Sequence, residues 1–377
     1  MLDDIDKTGL PPIIKWPGGK EKELKHILPN VPTFSRYFEP FVGGGAVFMA
    51  VRCKQCFVND LSSELVALYN FIAERNEQFF RYLRDMNRSW IKSGDFFSRS
   101  SCLVELYIQF RTGQITSEEL KSHIRSFCEN NKMGILNIIG KEFSSLPCVI
   151  IKEMEVNLIR KMTRMHRLEQ EKYFLPEGDV YDNIETAIKS AVYMNYRHLY
   201  HEKAMQVNKP LHTALFFFMR NYAYSGMFRY SRKGDFNVPY GGIAYNSKLL
   251  GKKIDYYQSN PLLEHFSDTK IYNLDFEDFL RQTNPTQDDF VFLDPPYDTE
   301  FSTYANNAFT RADQVRLADY MLNECNAKWM LIIKYTDFIY RLYNKKGINI
   351  KTFDKEYVVS FMNRNNRKAT HLMITNY

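Results

Sequence analysis

Residues 36–48, Arg-Tyr-Phe-Glu-Pro-Phe-Val-Gly-Gly-Gly-Ala-Val-Phe, constrain this chain more than any other stretch. A short apolar strand at about 36–39 runs into Gly43, Gly44 and Gly45, and an apolar helix is expected to follow to about Val51. Strand, glycine-rich turn, helix is the nucleotide-binding start of a doubly wound sheet. The spacing is not GxGxxG, so a pyrophosphate is not specifically indicated. Cys56-Phe57-Val58 reads as a second strand ending in Asn59-Asp60. An acid at that strand end is where a ribose hydroxyl pair is held. A glycine-rich loop without diphosphate spacing, followed by such an acid, suits a nucleoside cofactor, with S-adenosylmethionine the obvious one. The competing reading makes Asp60 a plain helix N-cap before Leu61-Ser62-Ser63-Glu64.

Two further stretches carry chemistry. Ile13-Ile14-Lys15-Trp16-Pro17-Gly18-Gly19-Lys20 makes a tight turn whose backbone can approach a ligand, with Trp16 as an apolar wall and Lys20 as a cation. A helical stretch to about Leu28 follows. Far along the chain, Val291-Phe292-Leu293 reads as a buried strand stopped by Asp294-Pro295-Pro296-Tyr297. Neither proline offers an N–H, so the turn is expected to point carbonyls outward as acceptors. A carboxylate, carbonyls and a flat phenol together can hold an exocyclic amine and stack on its ring. Chemistry on the N6 amine of adenine needs that, because acceptors holding its protons while the nitrogen turns tetrahedral favour the transition state. An ordinary strand-to-loop exit is the alternative. Just before this strand, Ile271 to Phe276 reads as another strand with Asp275-Phe276 at its end, a pair suited to an adenine edge.

Between these halves the pattern changes. From Ser62 to about Trp90, apolar residues recur at helical spacing, and helices are expected at roughly 100–111, 116–130, 152–170, 183–205 and 211–221. This is a helical insertion between the halves of an α/β domain. The division expected is 1–75 with 266–377 as a discontinuous catalytic domain, and 76–265 as the insert. At 222–242 the insert carries bases, aromatics and glycines in one dense run, with Lys233-Gly234-Asp235 as a hairpin turn. A two-stranded ribbon can enter a major groove, where Arg pairs with guanine and aromatics wedge into an opened stack. Arg229 is expected to reach a base edge, and Arg232 and Lys233 to meet phosphates. After Tyr297, a helix at Phe309–Cys325 with Thr310 as N-cap, a strand at Trp329–Ile333, a helix at Asp337–Asn344 and two or three strands over 347–377 complete the sheet.

The formal charge of +6 is compatible with a polyanionic partner. No apolar run approaches the about 20 residues of a membrane span. The six cysteines read as reduced thiols of a cytosolic protein. Cys53 and Cys56 have the spacing of a zinc half-site but no second pair nearby, so no metal is expected.

Taken together, the chain resembles a DNA adenine-N6 methyltransferase of the Dam type (D12 class, alpha group). That family pairs a KWxGGK turn with a Glu-Pro-Phe-x-Gly-Gly/Ala-Gly loop, an Asp after the second strand, a Tyr-x-Gly-x-x-Arg-Tyr…Asn-Val-Pro-Tyr-Gly segment, DPPY, and a C-terminal Ile-Thr-Asn-Tyr. These blocks stand here in family order, from residue 13 to 377. The resemblance implies an α/β, Rossmann-like S-adenosylmethionine-dependent methyltransferase domain with a mostly helical inserted target-recognition domain carrying a β-hairpin. It implies Trp16, Lys20, Glu39, Phe41, Gly43, Gly44, Gly45, Asp60, Asp275 and Phe276 at the cofactor, and Asp294, Pro295, Pro296 and Tyr297 around a flipped adenine. Tyr224, Met227, Arg229, Arg232, Lys233, Asn237 and Pro239 would meet double-stranded DNA. It further implies a cytoplasmic, bacterial or phage-encoded monomer or weak dimer, with room for a cognate restriction endonuclease. Two positions depart from the family pattern. Ile333-Lys334-Tyr335 stands where Ser-Asn or Ser-Tyr is usual, and His371 stands where Glu is usual.

Overall fold

The computed structural model describes residues 8–143, 147–202, 206–227, 229–231, 235–297, 309–356 and 368–377. The chain divides into two compact units, one built from residues 1–74 and 257–377, the other from 75–256.

The first unit is α/β. Its seven strands are β1 (Tyr37–Glu39), β2 (Cys56–Asn59), β3 (Thr269–Tyr272), β4 (Phe290–Leu293), β5 (Lys328–Lys334), β6 (Asn349–Glu356) and β7 (Lys368–Thr375). They form one sheet in the order β3-β2-β1-β4-β5-β7-β6. β1 to β5 pair in parallel, and β7 runs antiparallel between β5 and β6. The chain winds outward from β1 through β2 to β3, then crosses back to β4. The order therefore reverses between β1 and β4, and the crevice beyond their carboxyl ends is where an open α/β sheet takes its ligand. β1, β2 and β4 are buried along their whole length, as strands covered on both faces must be. Helix Phe276–Thr283 and helix Arg311–Asn323 lay Phe279, Leu280, Leu317 and Met321 into the core with Trp329 and Leu331 of β5. Thr310 caps the second of these in a reciprocal capping box with Asp313.

Some expectations fail locally. The helix expected from Ala46 to Val51 is a run of turns, with Met49 N–H on the Gly45 carbonyl and Val51 N–H on that of Val47. Six residues after three glycines allow only one or two turns, too few to pay helix nucleation. The stretch after Lys20 shortens to helix Leu24–Ile27 and a 3-10 turn at Leu28–Asn30 around Pro29. Cys53 and Cys56, expected as thiols, are joined as a disulfide, their Cα atoms 5.9 Å apart, a span a disulfide fits.

The second unit is helical: Glu77–Ser98, Cys102–Arg111, Ser117–Asn130, Lys132–Ile139, Pro147–Glu171, Glu177–His201 and Lys209–Tyr222. Helix Lys132–Ile139 was not expected, and Glu177–His201 starts six residues early because Pro176 occupies its N-cap. Trp90 at the centre of this unit meets Phe218, Tyr222 and Tyr240 edge-on or tilted. Among the described residues, no helix is long and apolar enough to cross a membrane.

Candidate active site

At the carboxyl end of β4, Asp294 leaves the sheet beside the carboxyl end of β1, where Glu39 stands. Lys20, only 1% exposed, forms an ion pair with Asp294 and donates to the Gly18 carbonyl at 2.9 Å. Its ammonium also lies 3.2 Å from the Tyr297 hydroxyl. Lys20 thus sits on the carboxylate of the turn, a partner the sequence did not suggest. Glu39 is buried and accepts from the Tyr37 hydroxyl at 2.6 Å. Burial raises its pKa well above the usual carboxylate range, and the neighbouring charge of Asp294 pushes the same way. Burial thus favours the neutral form of Glu39 beside the Lys20–Asp294 pair.

The other parts of the turn are also held. The Pro296 carbonyl, expected to point outward as an acceptor, takes a hydrogen bond from Gln314 Nε2 at 2.9 Å. Gln314 comes from helix Arg311–Asn323 and is fully buried, so the acceptor patch narrows toward Asp294. Tyr297 is half-buried, and its hydroxyl lies 3.2 Å from Nε2 of His371 on β7.

The glycine loop follows β1. A Cβ on Gly43 would come 2.9 Å from Trp16 Cδ1, at a backbone φ of +49°, and one on Gly44 would collide with the Ile14 carbonyl. The glycines here admit the chain's own Ile14–Trp16 segment, where the sequence suggested only close approach of a ligand. Asp60 ends β2, and its carboxylate accepts from Gly43 N–H at 3.0 Å and Ser62 N–H at 2.9 Å. The N-cap of helix Ser63–Ala73 is Ser62, so Asp60 is not its cap. Burial pushes the Asp60 pKa up to about 6, against those two N–H bonds, which lower it. Each carboxylate oxygen spends one acceptor position on the backbone and retains capacity for another donor. Asn59 brackets the loops beside it, donating to the Pro40 and Leu274 carbonyls and accepting from Leu274 N–H.

Asp275 and Phe276 end the loop after β3. Asp275 caps helix Phe276–Thr283 through Glu277 N–H, and Arg316 grips both of its oxygens at 2.8 and 2.9 Å. The guanidinium lies 4.5 Å from the Phe276 ring centroid, and Phe276 also meets Phe41 at 5.5 Å and Phe309 at 5.7 Å. Phe276 is buried, packed against the half-buried Phe41 and Arg316. No signal in the sequence marked Arg316 or Gln314, and Asn59 stood out only as the neighbour of Asp60 at the end of β2. Each acts through contacts that only the folded chain creates.

In the second unit, the described residues of the run at 222–242 pair across it through two isolated bridges, Ala223 to Tyr240 and Tyr230 to Phe236. Backbone bonds from Tyr224 N–H to the Pro239 carbonyl and from Asn237 N–H to the Arg229 carbonyl accompany them. From Asp235 to Tyr240 burial alternates, with Phe236, Val238 and Tyr240 inward and Asp235, Asn237 and Pro239 exposed. Tyr224 (47% exposed) and Arg229 are also exposed, whereas Met227 is half-buried. Arg229 donates to the Asn237 carbonyl at 3.1 Å. Arg232 and Lys233 lie outside the described residues. From beneath, Tyr193 donates to the Val238 carbonyl at 2.9 Å and Tyr240 to Asn246 Oδ1 at 2.9 Å. The Asn246 amide in turn donates to Thr186 and Glu185, and its backbone carbonyl accepts from Trp90 Nε1.

A sequence model of the D12 class N6 adenine-specific DNA methyltransferases matches residues 16–142 and 150–359. The chain is 26% identical over 375 residues to the Type II methyltransferase M.CviBI of Paramecium bursaria Chlorella virus NC1A, covering 97% of this chain and 99% of that one. It is 25% identical over 386 residues to the Type II methyltransferase M1.LlaDCHI of Lactococcus lactis subsp. cremoris, covering 99% and 97%. To the DNA adenine methylase of Escherichia coli K12 it is 21% identical over 311 residues, covering 81% and 73%.

Proposed function

Because the chain belongs to the D12 class N6 adenine-specific DNA methyltransferases, we propose a division of labour among its residues that follows from that membership. The protein is an adenine-specific DNA methyltransferase, and S-adenosylmethionine is the methyl donor of such enzymes. That donor supplies an electrophilic methyl group on a sulfonium, so no covalent enzyme intermediate is needed.

The residues at the crevice suit it. Asp60, with acceptor capacity to spare, takes the ribose hydroxyls, and the Trp16, Phe41 and Phe276 rings give apolar walls. The fit rests on the strand-end carboxylate whose charge is disfavoured by burial: two hydroxyl donors are what such a group lacks. Burial favours the neutral form of Glu39, which would add a donor without a second negative charge. Arg316 holds Asp275 in orientation through both of its oxygens.

Asp294 accepts the protons of the adenine amine while Tyr297 stacks on the ring, which requires the base to leave the duplex stack. The observation that carries this is the placement of Asp294 and Tyr297 at the β1/β4 switch point. Lys20 orients the carboxylate, and Gln314 fixes the turn behind it. Tyr224, Arg229, Asn237 and Pro239 form the face that meets DNA. The Type II names of two relatives support a cognate endonuclease as a partner.

Transfer of labelled methyl groups to duplex DNA, RNA and protein tests this reading. N6-methyladenine in duplex DNA alone is expected, and sequencing the product gives the recognition site. Label found mainly on RNA or protein would overturn it.

A further inference from the structure

We propose that His371 is a positioning residue for methyl transfer: it fixes the Tyr297 hydroxyl and, through it, the plane of the ring. His371 is fully buried in β7, in register with Lys334 of β5 on one side and Phe353 of β6 on the other. Its Nε2 is 3.2 Å from the Tyr297 oxygen, and the two rings stand edge to face with centroids 5.7 Å apart. The Lys20 ammonium lies 3.2 Å from the same oxygen.

The direction of these bonds follows from what each group can do. An ammonium only donates, so the phenol oxygen accepts from Lys20. In the proposed arrangement the phenol donates its own proton to Nε2, and the imidazole carries its proton on Nδ1. A ring anchored only at its Cβ can swing. Anchored also at its far end, by a side chain from the interior of a sheet, it is held where a base can stack. An imidazole does this without placing a second anion beside Lys20, whose ammonium is engaged by Asp294. The inference rests on the reading of Tyr297 as the stacking partner of the acceptor adenine.

The test is a double-mutant cycle on the full chain, with duplex DNA carrying the site found by sequencing. Tyr297→Phe and His371→Leu are each expected to lower kcat about tenfold, the rate equivalent of one positioning hydrogen bond. The double variant is expected to be no slower than the poorer single, because both remove the same bond. His371→Gln, whose amide oxygen can take the phenol proton, should recover most of the rate. Donor affinity by calorimetry should stay within about twofold throughout. Nitrogen-15 histidine NMR gives a readout free of turnover. The signal that His371→Gln removes should show the Nδ1–H tautomer, and Tyr297→Phe should shift it. Should His371→Leu fail to fold, the Gln variant and the NMR response decide alone. Losses that multiply in the double variant, or a His371 signal indifferent to Tyr297→Phe, would overturn the proposal. Tyr297→Ala separates the two levels. If it leaves kcat unchanged, the stacking role of Tyr297 is wrong; if it cripples the enzyme while the cycle is additive, only the role of His371 is.

Discussion

The turn at Asp294–Tyr297 and the hairpin at 222–242 are both short, aromatic and built around prolines or glycines, yet they are held in opposite ways. In the turn, the functional groups themselves are bound: Asp294 by Lys20, the Pro296 carbonyl by Gln314, the Tyr297 hydroxyl by Lys20 and His371. In the hairpin, the bonds run beneath the surface, from Tyr193 to the Val238 carbonyl and from Tyr240 to Asn246, while Tyr224, Arg229, Asn237 and Pro239 stay exposed. A site that lowers a barrier gains from groups fixed in advance. A surface that must sample many DNA sequences gains from a rigid base and side chains that can adapt.

If the contrast is right, substitutions in the two regions fail differently. The largest effect belongs to the turn. Asp294→Ala should lower methyl transfer by a factor on the order of 10²–10³ or more, the cost of losing one preorganised group. DNA and donor affinities should stay nearly intact. Activity within a few-fold of the parent would erase the distinction. In the hairpin, Arg229→Ala should cost about 1–3 kcal/mol of discrimination at one base position and leave the other positions alone. Rates on a panel of single-base duplex variants measure it, and uniform slowing would make the hairpin a clamp. A smaller effect probes the rigid base. Asn246→Ala should lower stability by about 1–2 kcal/mol, read from denaturant unfolding, because it strips side-chain partners from Tyr240 and Thr186 together. It should weaken discrimination at all positions a little, unlike Arg229→Ala.

The smallest effect concerns Asp60. Its proton is held up to about pH 6, above the ordinary Asp value, so its contribution to folding is fully present below that ordinary value. That contribution is lost as pH rises through about 6. Donor binding has the opposite sign, since ribose hydroxyls need the ionised acceptor. Affinity should rise about tenfold between pH 5 and pH 8, by calorimetry, and Asp60→Asn should flatten the curve. A flat curve in the parent would remove Asp60 from the donor site.

Much of the first unit was legible because its signals are local. The apolar runs of β2 and β4 end in breakers, and Thr310 with Asp313 announces a helix start three residues apart. The triple glycine was found for the right place and with an incomplete reason, since the body that approaches it is the Ile14–Trp16 segment. What stayed hidden acts across long separations. Gln314 is an unremarkable helix residue until the fold carries it to Pro296. Arg316 resembles any surface arginine until it grips Asp275. His371 registered only as a departure from a pattern. Asn246, in a polar loop, gave no sign of supporting a hairpin. In the hairpin, the Lys-Gly-Asp turn signal suggested a ribbon, and the described residues on its two sides pair through two bridges.

The position of β7 bears on the order in which a ribosome delivers this sheet. β7 follows all six other strands in the chain but belongs between β5 and β6. Until it emerges, a nascent chain carries β5 with an open edge of unpaired N–H and C=O groups, the kind of edge that captures strands from elsewhere. Among the described residues β6 pairs with β7 and not with β5. Sheet completion is therefore a late event in synthesis. A partly made chain that already displays the Asp294–Tyr297 turn still lacks the imidazole that β7 brings beside it.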